Sequence, residues 1–205
     1  MKLFIYLFGP FTMIFIGLYI FSNVPLTFLL FYGWLLTGSI FLRKYLPKGS
    51  PRLSVISGVF SGVVLFAGIV GAVTMLHPVV LDAEDIRLLL DRWKFSGIGL
   101  VLVLLVINPI LEEVYWRGVM HGYLLTRFKE RIVVVLTAGF YTIYHLLSVL
   151  PFFEWPMNMV SVIPVFLAGL FWSYLRKKTG SLIAPILSHA MADAGILTVY
   201  WLYIV

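Results

Sequence analysis

Apolar residues run along this chain in long, nearly unbroken blocks, with the polar residues crowded into short breaks between them. A helix that crosses the hydrocarbon core of a bilayer needs about 20 mostly apolar residues. Seven blocks meet that length, at about 3–22, 24–42, 53–76, 97–125, 132–150, 159–175 and 181–204. They predict an all-α polytopic membrane bundle of about seven transmembrane helices, forming one domain over residues 1–205. The first block follows Lys2; its apolar run is longer than a signal-peptide core and no small-residue cleavage site is evident, so a retained helix is expected. In the third block Ser54, Gly58 and Gly62 recur every four residues, a spacing that suits close helix packing and carries no chemistry. The stretch "VVLDAEDIRLLLDRWKFSG" (79–97) is amphipathic instead. Its Val80, Leu81, Ile86, Leu89, Leu90 and Trp93 predict a helix on the outer membrane surface, ahead of the alternative that it gates a substrate path.

Composition agrees with the pattern. Of 205 residues, 61% are hydrophobic and 12% charged, against roughly half and a quarter in a soluble domain. The chain has no cysteine, which excludes a disulfide framework and a thiolate metal site. A formal charge of +6 would suggest nucleic acid in a soluble protein. Here most Lys and Arg fall in short loops, where they set topology, and no nucleic-acid partner is expected. Arg43, Lys44, Lys48 and Arg52, then Arg127, Lys129 and Arg131, then Arg176, Lys177 and Lys178 occupy alternate breaks. The other breaks hold Asp82, Glu84, Asp85, Asp91 and Glu154, with Arg87, Arg92 and Lys94 as their basic residues. The bias predicts a cytoplasmic N-terminus and an external C-terminus in a multi-pass membrane protein.

Four acidic or basic side chains fall inside the blocks: Glu112, Glu113, Arg117 and Asp193, joined by His145 and His189. His77 and His121 sit nearer block ends and are expected to be interfacial. A charge near the bilayer centre costs roughly 2.5–3.5 kcal/mol on insertion scales, so such residues normally pair inside a bundle and mark a functional site. A set of salt bridges that merely locks helices would need Glu and Arg but not two histidines. Counted from the basic breaks at 1.5 Å per residue, Glu112, His145 and His189 lie at similar depths, roughly 16–22 Å. Glu113 and Arg117 are four apart and can pair, leaving Glu112 on another side of the helix. His189 and Asp193 are likewise four apart, so Asp193 can orient His189, pair with Arg117 or supply a ligand.

A Glu beside a His in a partly dry cavity suits activation of water, and a second His can hold a metal or hydrogen-bond an oxyanion. Hydrolysis of an amide bond within the membrane follows. Neither Gly-x-Ser-x-Gly nor His-Glu-x-x-His occurs. Two alternatives remain: a transporter or proton relay, since buried acids and histidines also carry protons, and a non-catalytic immunity or scaffold protein.

The motifs "EEVYWR" (112–117), "YTIYH" (141–145) and "HAMAD" (189–193) resemble those of the CPBP family, the CAAX proteases of the Rce1 type and their bacterial Abi or bacteriocin-processing relatives. The second motif has Tyr141 where the family usually has Phe, with Phe140 beside it, and the third, His-x-x-x-Asn or in many bacterial members His-x-x-x-Asp, is matched in its Asp form by His189 and Asp193. The resemblance covers about 97–195. It implies an intramembrane endopeptidase acting on a peptide or lipidated-protein substrate in contact with membrane lipid. Glu112 would activate water together with His145, His189 and Asp193 would stabilise the oxyanion, and Glu113 and Arg117 would hold the site together. The family has been described both as metal-dependent and as glutamate-dependent; a Zn²⁺, if present, would be held from among Glu112, His145, His189 and Asp193. An ionised Asp cannot donate a hydrogen bond to an oxyanion as Asn does, so Asp193 would be protonated, orient His189 or ligate a cation. The substrate is expected to arrive through the membrane or a cytoplasmic mouth.

Overall fold

A computed structural model of the chain describes residues 2–47, 51–80, 83–93 and 98–205. The described residues form helices and no strand. In chain order these are α1 (Lys2–Ile14), α2 (Val24–Phe41), α3 (Pro51–Val80), α4 (Ala83–Trp93), α5 (Ile98–Leu102), α6 (Asn108–Glu113), α7 (His121–Leu125), α8 (Glu130–Val149), α9 (Met157–Thr179) and α10 (Ile183–Tyr203). Among the described residues, six helical stretches are long and apolar enough to cross a membrane. The expected count of seven is therefore approximate. The remaining block is helical from Ile98 to Leu125 but switches type along the way, with π-helical turns at Val103–Ile107 and Val114–Met120 on either side of α6. Pro109 accounts for the first of these: it has no N–H to give and its ring crowds the carbonyl one turn earlier, so the turns before it widen.

Breaks between helices follow local chemistry. Asn23 accepts a hydrogen bond from the Leu26 N–H at 2.9 Å and caps α2, with Pro25 in its first turn. Gly180 ends α9 in the left-handed conformation, φ 66°.

The molecule is apolar outside as well as inside. Leu29, Phe60 and Met75 are 70%, 73% and 84% exposed, and similar residues are spread over the other helices. Such a surface suits lipid and would be a liability in water. The α6 region is the centre. Tyr115, Trp116, Arg117, Val119, Met120 and Leu124 are fully buried, with α2, α8, α9 and α10 around them. Tyr115 donates to the Tyr6 carbonyl at 2.6 Å and accepts from Trp34 Nε1 at 3.3 Å, which ties this core to α1 and α2.

α10 packs lengthwise on α3. The small-residue stripe of α3 faces it: a Cβ on Gly58 would meet the Ala184 carbonyl oxygen at 2.8 Å, and one on Gly62 would meet Met191. Basic residues gather at one end of the bundle, where Lys177 and Glu130 pair at 2.8 Å. The opposite end holds the α1–α2 turn, α4 and the α8–α9 connection. There the Tyr19 hydroxyl donates to the Leu147 carbonyl at 2.7 Å, and Arg87 Nε donates to the Ile204 carbonyl. Leu81, Asp82, Lys48 and Lys94 lie outside the described residues, as do the side chains of Arg52, Val80, Asp85, Arg92 and Trp93.

Candidate active site

α6 and the π turn after it carry Glu112, Glu113 and Arg117; α8 carries His145; α10 carries His189 and Asp193. All but His145 are buried, and His145 is half-buried. The two glutamates part company. Glu113 Oε1 takes Arg117 Nη1 at 2.8 Å and His189 Nδ1 at 3.1 Å. Glu112 instead lines a cavity of about 360 Å³ together with His145.

The rings have defined hydrogen-bonding states. His145 Nδ1 lies 2.8 Å from the Tyr141 carbonyl, which can only accept, so Nδ1 carries a proton and Nε2 is the lone-pair nitrogen of the neutral ring. His189 donates through Nδ1 to Glu113. Its Nε2 sits between Asp193 Oδ2 at 3.5 Å and Glu112 Oε2 at 3.9 Å. Three carboxylates thus surround one imidazole. Arg117 forms its ion pair with Glu113, and the carboxylate of Asp193 accepts from Asn108 Nδ2 at 3.2 Å.

Aromatic faces hold these groups in place. Trp172 of α9 stacks on His189 and donates from Nε1 to the Ser188 hydroxyl at 3.2 Å. The Arg117 guanidinium lies over Tyr141, 4.4 Å from its centroid, and 5.3 Å from that of Trp172. Gly169 makes room for it: a Cβ there would be 3.0 Å from Arg117 Nη2. Of the two adjacent aromatics in the second motif, Tyr141 faces the cluster while Phe140 packs edge-on against Phe8 of α1.

Sequence reasoning missed Asn108, Tyr32, Tyr144 and Trp172. Asn108 carried a signal: an amide in an uncharged apolar run, one helical turn before Glu112. Tyr32, Tyr144 and Trp172 carried none, because an aromatic in an apolar span reads as packing. His121 departs from its expected interfacial place and is fully buried. His77 does sit at the end of its span, stacked on Tyr203.

The cavity wall is apolar apart from one end. Ile14, Leu18, Val24, Phe31, Leu104 and Val149 form its sides, and Tyr32, Asn108, Glu112, Tyr144 and His145 gather at the polar end. Those wall residues come from the end of the bundle opposite the basic loops. The cavity therefore lies toward the end away from the basic loops. Leu90 of α4 joins the wall, and α4 with Leu150–Trp155 frames a neighbouring cavity of about 760 Å³.

A zinc ion takes three or four donors converging at about 2.0–2.2 Å. Among the described residues no three His, Asp or Glu side chains are placed to hold a metal ion. Glu112 and Asp193 flank His189 Nε2, whose other nitrogen is committed to Glu113.

No curated protein and no solved structure matches the chain. Residues 94–195 match the family model described as type II CAAX prenyl endopeptidase, Rce1-like. That stretch contains Glu112, Glu113, Arg117, His145, His189 and Asp193, and through it the chain belongs to the Rce1-like family of membrane endopeptidases.

Proposed function

We propose that the protein hydrolyses a peptide bond of a membrane-associated or lipidated peptide inside the bilayer, with water activated by Glu112 and His145. The observation that carries this reading is the division of the paired glutamates: Glu113 is held by Arg117 and His189, whereas Glu112 opens onto a cavity shared with His145. The volume suits a few side chains or a short apolar tail beside a scissile bond.

In this reading Glu112 removes a proton from a water molecule, and His145 Nε2 shares the hydrogen bonding of that water. The water oxygen attacks the carbonyl carbon, and the carbonyl electron pair moves onto its oxygen. When the carbonyl re-forms, the carbon–nitrogen bond breaks and the leaving nitrogen takes the proton from Glu112. Glu113 and Arg117 fix the face of His189 that the cluster presents. With the basic loops cytoplasmic, the cavity opens toward the outer leaflet, and the substrate is a segment that reaches the site from that face.

The test reconstitutes the full chain in proteoliposomes with two quenched-fluorescence peptides, one farnesylated on a cysteine near its C-terminus and one unmodified. Wild type cleaves at least one. Glu112→Gln loses about 10³-fold or more in rate, and His145→Ala about 10²-fold. Cleavage by Glu112→Gln at the wild-type rate would overturn the reading. Cleavage of only the unmodified peptide would remove the lipid from the substrate while keeping the reaction.

A further inference from the structure

We propose that Asn108, on α6, donates the hydrogen bond that stabilises the negatively charged oxygen formed on the scissile carbonyl. The proposal rests on the endopeptidase reading of the cavity. An oxyanion of that kind is held by N–H or O–H donors pre-aimed at about 2.7–3.1 Å. The position on α10 one turn after His189 is a carboxylate, Asp193, and an ionised carboxylate has no proton to give. A carboxamide nevertheless reaches the same spot from another helix: Asn108 Nδ2 lies 3.2 Å from Asp193 Oδ2.

The orientation of this amide is fixed from both sides. A carboxylate only accepts, so the nitrogen of Asn108 must be the atom facing Asp193. Its oxygen Oδ1 accepts from the Tyr32 hydroxyl at 3.1 Å. An amide nitrogen carries two protons, and Asp193 takes one. The second belongs to a side chain on the cavity wall, one helical turn from Glu112 on the same helix. Base and donor thus flank the same space. Asp193 polarises the donating nitrogen and His189 lies behind it, 3.5 Å from Asp193 Oδ2. Of the other polar wall groups, the Nδ1 proton of His145 goes to the Tyr141 carbonyl, the Tyr32 proton to Asn108, the Ser148 proton to the Tyr144 carbonyl and the Thr27 proton to the Asn23 carbonyl, which leaves the Tyr144 hydroxyl as the competing donor.

The experiment uses the reconstituted full chain, the peptide that wild type cleaves, and a phosphonate analogue of that peptide that mimics the tetrahedral oxygen. Asn108→Ala and the nearly isosteric Asn108→Leu are expected to lose about 10²-fold in kcat, with KM within about twofold, and to bind the phosphonate more weakly by a similar factor. Placing Asp193→Asn in the Asn108→Ala background restores part of the lost kcat, because the amide then comes from α10. Thermal unfolding in detergent identifies a variant that has failed to fold, and the other variant then carries the test. The proposal is overturned if kcat stays within about threefold of wild type, if the loss falls on KM alone, or if Tyr144→Phe takes the kcat loss and Asn108→Leu does not. A wild type no faster than Glu112→Gln would instead remove the endopeptidase reading, and this donor with it.

Discussion

Trp172 lies flat against His189, with ring centroids 4.1 Å apart and planes within 18°. An imidazole among three carboxylates has several partners to choose from, and this face restricts which nitrogen meets which oxygen. Trp172→Phe keeps a stacking surface and loses the Nε1 bond to Ser188, at a cost of about 0.5–1.5 kcal/mol. Trp172→Ala removes the face and opens a void worth about 3–5 kcal/mol. Thermal unfolding in detergent should rank the two in that order. Peptide cleavage should fall by about tenfold or more in the alanine variant, because His189 is free to rotate.

Arg117 is fully buried and pairs with Glu113 on its own helix. Removing one member of such a pair strands the other charge, at a cost of about 3–5 kcal/mol. Arg117→Met is therefore expected to be strongly destabilised. The double variant Glu113→Gln/Arg117→Met should recover part of the loss. Melting temperatures of the two single variants and the double variant measure the coupling, and additive losses would show that the pair contributes nothing beyond its separate contacts.

Gly58 sets the spacing of α3 and α10. Gly58→Val forces a side chain into the Ala184 backbone and should cost about 1–3 kcal/mol. Gly33→Ala, on α2, meets open space and should be neutral or slightly stabilising. Equal melting temperatures for the two variants would contradict the close approach.

Orientation can be read directly, because the chain has no cysteine of its own. A cysteine replacing Trp155, which is 79% exposed on the α8–α9 connection, should react with a membrane-impermeant maleimide added to intact cells. A cysteine replacing Lys177 should react only after permeabilisation. The reverse pattern would place the cavity mouth in the cytoplasm.

The bundle was legible because membrane helices announce themselves by length and apolarity alone. The stripe Ser54, Gly58 and Gly62 even indicated a packing face, though not that α10 would fill it. The charged cluster was legible because each charge in a bilayer needs a reason. Four-residue spacing anticipated the Glu113–Arg117 contact and the nearness of His189 to Asp193. What stayed hidden was between helices. No spacing rule links Asn108 to Asp193, or Trp172 to His189, since each pair depends on how two helices cross. The direction of the cavity was hidden for the same reason: its walls come from the ends of α1, α2 and α8 together. The changes of helix type around α6 left only Pro109 as a trace.

The contact between Glu113 and Arg117 also bears on how the chain enters the bilayer. Each of these charges alone would cost roughly 2.5–3.5 kcal/mol at mid-membrane. Their contact lies within one helical turn, so the span brings its own counter-ion and needs no other helix to neutralise it during insertion. His189 and Asp193 follow much later in the chain. Until α10 docks, Glu112 waits in the membrane without them.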